Sequence, residues 1–177
     1  LMDDDLLIFA DENPSDENLN SDSWKVLVAD DEKAVHLVTK LALGDFSYDG
    51  KPLELLSAYN EEDVKAIMSE EEDIALVLLD VVMDTVDSGF NLIRFIRHEL
   101  ENKDVRIILR TGQSGTAPED EVIINYDIND FKDKTELTFS KLRTTIISAL
   151  KAYSHLKIIA QEQSKLVESR LYLDQII

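Results

Sequence analysis

The chain has 177 residues, 44% of them hydrophobic and none of them cysteine. That is enough apolar material for one ordinary domain with an appendage, and it excludes disulfides, thiolate catalysis and cysteine-based zinc sites. A formal net charge of −19 argues against direct binding of nucleic acid, whose phosphates need a basic face, and against an anionic membrane surface.

Residues 1–23 carry eight acidic side chains and no Lys or Arg, the composition of a solvated acidic extension. The opening LMDDDLLIFADE lacks the basic start of a secretory signal, and no segment has the length of a membrane span. A cytoplasmic location with no membrane partner is expected. From Trp24 onward, strand and helix patterns alternate. Val26–Ala29 reads as a buried strand. A helix over Glu32–Leu43 follows, with Val35, Val38, Leu41 and Ala42 on its inner face and Gly44 at its end. A loop through Asp49, Gly50 and Pro52 leads to a strand at Leu53–Ala58. Asn60 can cap a helix over Glu61–Ser69 that turns Val64, Ile67 and Met68 inward. Ile74–Leu79 is the most apolar strand. A helix from Gly89 to about Leu100, a strand at Val105–Leu109, a short helix from Ala117 to about Tyr126 and a last strand at Ile128–Phe131 complete five β/α repeats.

Such alternation implies an α/β domain with a parallel sheet covered by helices on both faces. Right-handed crossovers favour the flavodoxin-like strand order 2-1-3-4-5. From Leu137 to Ile177 there is no Gly or Pro, so an extended C-terminal helix, roughly 60 Å long, is expected. A heptad register runs through it, with Leu142, Ala149, Leu156, Gln163, Arg170 and Ile177 at one core position and Thr145, Ala152, Ile159, Leu166 and Leu173 at the other. This predicts a homodimer through a coiled coil kept weak by Gln163 and Arg170. The expected division is an acidic extension over 1–23, the α/β domain over 24–150 and a helical extension over 151–177.

Three of the strands run directly into polar residues. VLVADDE ends in Asp30 and Asp31, ALVLLD in Asp80, and RIILRT in Thr111. The carboxyl ends of parallel strands share one edge, where ligands bind. Carboxylates converging there repel one another unless a hard cation sits among them, and Mg²⁺ suits an all-oxygen site.

With those strand ends in place, residues 24–150 resemble the receiver domain of two-component response regulators. VLVADDE resembles the family's first strand and acidic pair, and Asp80 matches its phosphate-accepting aspartate. Thr111 matches its hydroxyl residue, and Phe131 with Lys134 matches an aromatic followed three residues later by lysine. The resemblance implies Mg²⁺ held by Asp31, Asp80 and the Val82 carbonyl, with Asp30 helping through water. Lys134 and Thr111 would contact phosphoryl oxygens, and Phe131 would turn inward when Thr111 is drawn to the phosphoryl group. It implies a sensor histidine kinase or phosphotransfer protein as partner, and no enzymatic activity beyond self-catalysed phosphoryl acceptance and hydrolysis. LLIFADE, LVLLDVVMDT and RTGQSGTAPE resemble a subfamily whose receiver, with its acidic extension, often precedes an HD-GYP cyclic-dinucleotide phosphodiesterase or a kinase module. The chain departs from the pattern at Thr135, where proline usually follows the lysine. It also departs at Asp84, where proline is common, and at Gly89, one residue later than usual; Asp84 and Asp87 add carboxylates to that loop.

Other readings fit less well. An aspartate-nucleophile phosphatase wants a second Asp where Val82 stands, and GQSGTAP lacks the Lys-Ser/Thr ending of a phosphate-binding loop. A degenerate receiver serving as a phosphorylation-independent dimerisation scaffold is the alternative, motivated by the long helix and Thr135. His36, His98 and His155 have no ligand spacing and read as surface residues.

Overall fold

A computed structural model describes residues 23–112, 123–124, 126–134 and 138–174, with only the backbone of Phe131 and Asp174 included. The acidic extension, most of the expected helix at 117–126 and Thr135 lie outside the described residues. The strands are β1 (Trp24–Ala29), β2 (Ser47–Tyr48), β3 (Lys51–Ala58), β4 (Ile74–Asp80), β5 (Arg106–Thr111) and β6 (Asp130–Asp133). They form one sheet in the order β2-β3-β1-β4-β5-β6. The pairings β3–β1, β1–β4, β4–β5 and β5–β6 are all parallel, so the expected five-stranded order holds. The difference is β2, which pairs antiparallel with β3. The expected loop is a tight hairpin there, because Asp49 (φ 51°) and Gly50 (φ 76°) both adopt the left-handed backbone that an Asp-Gly turn needs.

Every residue of β4 is buried, and its alternating side chains divide the core. Val77 and Leu79 join Val64 and Met68 of α2 (Glu61–Glu70) and Leu92 and Ile93 of α3 (Ser88–Arg94). Leu76 and Leu78 pack on the opposite side, with Ala42 and Leu43 of α1 (Lys33–Leu43) and Leu142 and Ile146 of α4 (Phe139–Asp174). Full burial of each such leucine or isoleucine contributes about 1.5–3 kcal/mol. As expected, Asn60 caps α2, its Oδ1 accepting from Asp63 N at 2.8 Å.

Two expectations about helices fail. The inner face of α1 consists of His36, Thr39, Ala42 and Leu43, while Val38 and Leu41 point outward at 49% and 70% exposure. The helix is turned by its polar residues: His36 Nε2 bonds the carbonyl of Asp30 at 2.7 Å, and its ring packs on Tyr59. His36 is therefore core, whereas His98 and His155 are exposed as read. The second failure is the last turn before Leu100, which is a π-turn over Phe95–Glu99 rather than α-helix. The extra residue allows Ile96 and Arg97 both to be buried. Arg97 then ties two loops, donating to the carbonyls of Asp127 at 3.1 Å and Asn102 at 2.7 Å.

Helix α4 spans 36 residues, about 54 Å. Leu142, Ile146, Ala149, Leu150 and Tyr153 are buried on the sheet. Among the described residues, the last tie to the domain is Asp73, which accepts from Lys157 Nζ at 2.8 Å and from the Tyr153 hydroxyl at 3.4 Å. Beyond it, Ile158, Ile159, Leu166, Val167, Leu171 and Leu173 are exposed. Among the described residues no helix is long and apolar enough to cross a membrane.

Candidate functional site: an acidic pocket at the carboxyl edge of the sheet

The carboxyl ends of β1, β4, β5 and β6 bring Asp30, Asp80, Thr111 and Lys134 together. Asp30 is fully buried, and Asp80 and Thr111 are each 3% exposed. Lys134 is fixed where it leaves β6 because its backbone N–H donates to the Thr111 carbonyl at 2.7 Å. Its ammonium lies 2.8 Å from Asp80 Oδ2, 3.1 Å from Asp30 Oδ2 and 3.2 Å from Glu32 Oε1. The other oxygens are oriented by main chain: Asp30 Oδ1 accepts from Glu32 N at 3.0 Å and Asp80 Oδ1 from Val82 N at 3.3 Å. Asp31 is exposed at the mouth. Carboxylate oxygens of Asp30, Asp31 and Glu32 lie within 4.8 Å of one another.

Burial pushes the Asp80 carboxyl above its ordinary range, with the Asp30 charge adding to it, and the hydrogen bond from Lys134 only partly offsets this. Burial also works against the Lys134 ammonium, but its bonds to Asp80 and Asp30 prevail and hold it up at about 12. The pocket therefore demands positive charge. Its donor set is all oxygen and mostly carboxylate, which fits Mg²⁺.

No family model matches the chain. Over 144 residues it is 48% identical to the 3′3′-cGAMP-specific phosphodiesterase 2 of Vibrio cholerae, a match covering 81% of this chain and 28% of that protein. The chain therefore corresponds to well under half of that relative. Among solved structures, it resembles a response regulator receiver protein from Pseudomonas putida at 26% identity and a TM-score of 0.57, over 70% of this chain and 95% of that one. It also resembles the chemotaxis protein CheY4 of Vibrio cholerae (21%, TM-score 0.58, 72% and 99%). The signal receiver domain of an HD domain-containing protein from Pseudomonas fluorescens Pf-5 is a third match (17%, TM-score 0.64, 75% and 98%). The chain has the fold of CheY-like receiver domains.

The pocket has features that strand-end reasoning missed. Glu32 shares the Lys134 ammonium, and the third letter of the DDE run was its signal. Arg110 is 4% exposed, and its Nη2 lies 3.4 Å from Asp30 Oδ2. A charged residue inside the apolar run RIILRT was the clue there. Burial lowers the pKa of this guanidinium, while the charges of Asp30 and Asp80 support it. Asp84 is not a free loop carboxylate: its Oδ2 accepts from Glu61 N at 2.8 Å, in the first turn of α2. Gly89 is required at its position because a Cβ there would lie 2.6 Å from the Asp80 carbonyl oxygen. Its N–H donates to the Val81 carbonyl at 2.9 Å, closing the loop after Asp80 onto α3.

Proposed function

We propose that the chain is a phosphoacceptor receiver in which Asp80 takes a phosphoryl group from the phosphohistidine of a sensor kinase or phosphotransfer protein. The observation that carries this reading is the buried Asp80 carboxylate at the end of the central strand, 2.8 Å from Lys134. Asp80 is oriented by Val82 N–H and faces the Asp30–Asp31 pair. An Asp80 carboxylate oxygen attacks phosphorus, the P–O bond forms as the P–N bond breaks, and the electron pair leaves on the imidazole nitrogen. A carboxylate is a weak nucleophile for an anion, so positioning and charge neutralisation supply the rate. Mg²⁺, held by Asp30, Asp31, Asp80 and the Val82 carbonyl, would supply charge neutralisation at the phosphoryl oxygens. Lys134, already beside Asp80, offers a point charge to another of those oxygens, and Thr111 a hydroxyl hydrogen bond.

The output passes through the β6 edge and α4. Thr111 pulled toward the phosphoryl group leaves room for Phe131, a two-state change that alters how α4 is seated. Beyond Lys157 the exposed Ile159, Leu166 and Leu173 pair with a second copy as a parallel coil. The likeness to a 3′3′-cGAMP-specific phosphodiesterase, of which the chain covers 28%, supports a receiver that governs a cyclic-dinucleotide phosphodiesterase within a longer protein. The test is beryllofluoride, which mimics a phosphoryl group on aspartate. Fluorine NMR should show one Mg²⁺-dependent bound species that Asp80→Asn removes. Absence of that species would favour the phosphorylation-independent scaffold.

A further inference from the structure

Arg110 is a buried cation beside the acidic pocket to which the phosphoacceptor reading gives no task. Parallel pairing sets it directly alongside Asp80. Alternation along β5 turns it to the face of Ile108, under α1 and α4. Its guanidinium reaches past β4, which lies between β5 and β1, and brings Nη2 to 3.4 Å from Asp30 Oδ2. Stability does not explain it. The side chain is nine-tenths buried, and among the described residues its Nε–H has no hydrogen-bond partner. The ion pair is long for a charge-assisted bond, which is normally about 2.7–2.9 Å. A buried cation paired so thinly is often no more stabilising than an apolar side chain of similar bulk, and such departures are expected at working sites. Asp30 has other partners: its Oδ1 accepts from Glu32 N at 3.0 Å, and its Oδ2 lies 3.1 Å from Lys134 Nζ.

What Arg110 adds is a second fixed positive charge behind Asp30 and Asp80. The carboxylates of Asp30, Asp31, Glu32 and Asp80 are then offset by both Lys134 and Arg110. One negative charge fewer makes the pocket less attractive to a divalent cation and more tolerant of an arriving anion. We propose that Arg110 is a positioning residue that competes with Mg²⁺ for Asp30, weakening metal binding to the unphosphorylated pocket while offsetting the charge of a phosphoryl group on Asp80. Only the second half of this inference rests on the phosphoacceptor reading.

The test compares the full chain with Arg110→Met in two titrations: Mg²⁺ alone by calorimetry, and beryllofluoride at saturating Mg²⁺ by fluorine NMR. Arg110→Met should bind Mg²⁺ about tenfold more tightly, the scale on which one fixed unit charge acts on a divalent ion a few ångströms away. It should bind the beryllofluoride anion about threefold more weakly, since half the charge gives half the free-energy change. A pocket merely loosened by the substitution would lose affinity for both. Arg110→Lys, which keeps the charge, should recover most of each effect. Mg²⁺ binding that is unchanged, weaker or absent in Arg110→Met, or no recovery in Arg110→Lys, would overturn the proposal. Beryllofluoride binding that is undiminished in Arg110→Met would overturn its second half. No beryllofluoride bound to the wild type would instead reject the phosphoacceptor reading, and the Mg²⁺ titration would still decide the competition for Asp30. Should Arg110→Met fail to fold, Arg110→Gln carries the same predictions; unfolding of both would mark Arg110 as structural and overturn the inference.

Discussion

Replacing Lys134 with methionine removes the ammonium from the acidic pocket while keeping most of the stem's bulk. That ammonium is held at about 12 against 10.5 for a free lysine, a difference of about 2 kcal/mol at 1.36 kcal/mol per decade. The side chain is 19% exposed, so solvent screening trims the contribution to about 1–2 kcal/mol. The two partners disagree about the bond's worth. Lys134 is stabilised, whereas Asp80 stays pushed up because its burial costs more than Lys134 returns, which places the net gain toward the lower end. Leaving Asp30 and Asp80 buried without that cation adds to the loss, and the variant should be about 2 kcal/mol less stable near neutral pH. A raised lysine pKa contributes fully below 10.5 and is lost only as pH rises through about 12, so this contribution is intact at neutrality. The Asp80 carboxyl, raised in the fold, destabilises increasingly as pH rises through its range and recovers on protonation. The gap between wild type and variant should therefore shrink on acidification to about pH 4.5. Millimolar Mg²⁺ should restore much of the loss. Urea unfolding followed by far-ultraviolet circular dichroism measures all three. Unchanged stability near neutrality, or a gap that widens in acid, would refute the reasoning. Trp24 fluorescence is a poor reporter here, since six residues of β1 place it about 20 Å from Asp30; it reports instead on Tyr153 of α4, against which its ring packs edge-on.

Asp31→Asn should weaken Mg²⁺ binding in calorimetry with little change in stability. Asp84→Ala should do the reverse, costing about 1 kcal/mol, because its carboxylate serves the first turn of α2; equal losses of Mg²⁺ affinity would place Asp84 in the metal shell. Gly89→Ala should destabilise by about 1–3 kcal/mol, since the new methyl must displace backbone rather than a flexible side chain, and a neutral result in urea unfolding would contradict the close approach. Leu166→Asp should shift sedimentation toward monomer while leaving the thermal midpoint of the α/β domain unchanged, whereas a concentration-independent monomer for the intact chain would reject the coil.

The sheet and the pocket were legible because β-strands buried on both faces are short unbroken apolar runs, and the residues ending them stand out. VLVADDE, ALVLLD and RIILRT each announced a strand and its terminal polar group. Lys134 was legible only through resemblance, since nothing local tells a lysine after an edge strand from a surface one; the side chain of Phe131 lies outside the described residues. The orientation of α1 was not legible. Its pattern offers Val38 and Leu41 to the core, but a buried hydrogen bond from His36 to Asp30 and close packing at Ala42 turn the helix the other way, and no hydropathy scale carries that preference. The heptad positions of α4 divide in the fold: Leu142 and Ala149 face this chain's own sheet, while Ile159, Leu166 and Leu173 beyond Lys157 are exposed. The π-turn before Leu100 was hidden for the same reason as Arg110 and Arg97. Buried arginines are placed by partners distant in sequence.

The most direct test of the account is incubation of the chain with acetyl phosphate and Mg²⁺, followed by intact-mass spectrometry and borohydride trapping of the acyl phosphate. One added phosphoryl group, dependent on Mg²⁺, located at Asp80 and absent from Asp80→Asn, is the predicted result. Labelling that persists in Asp80→Asn, or none in the wild type, would contradict it.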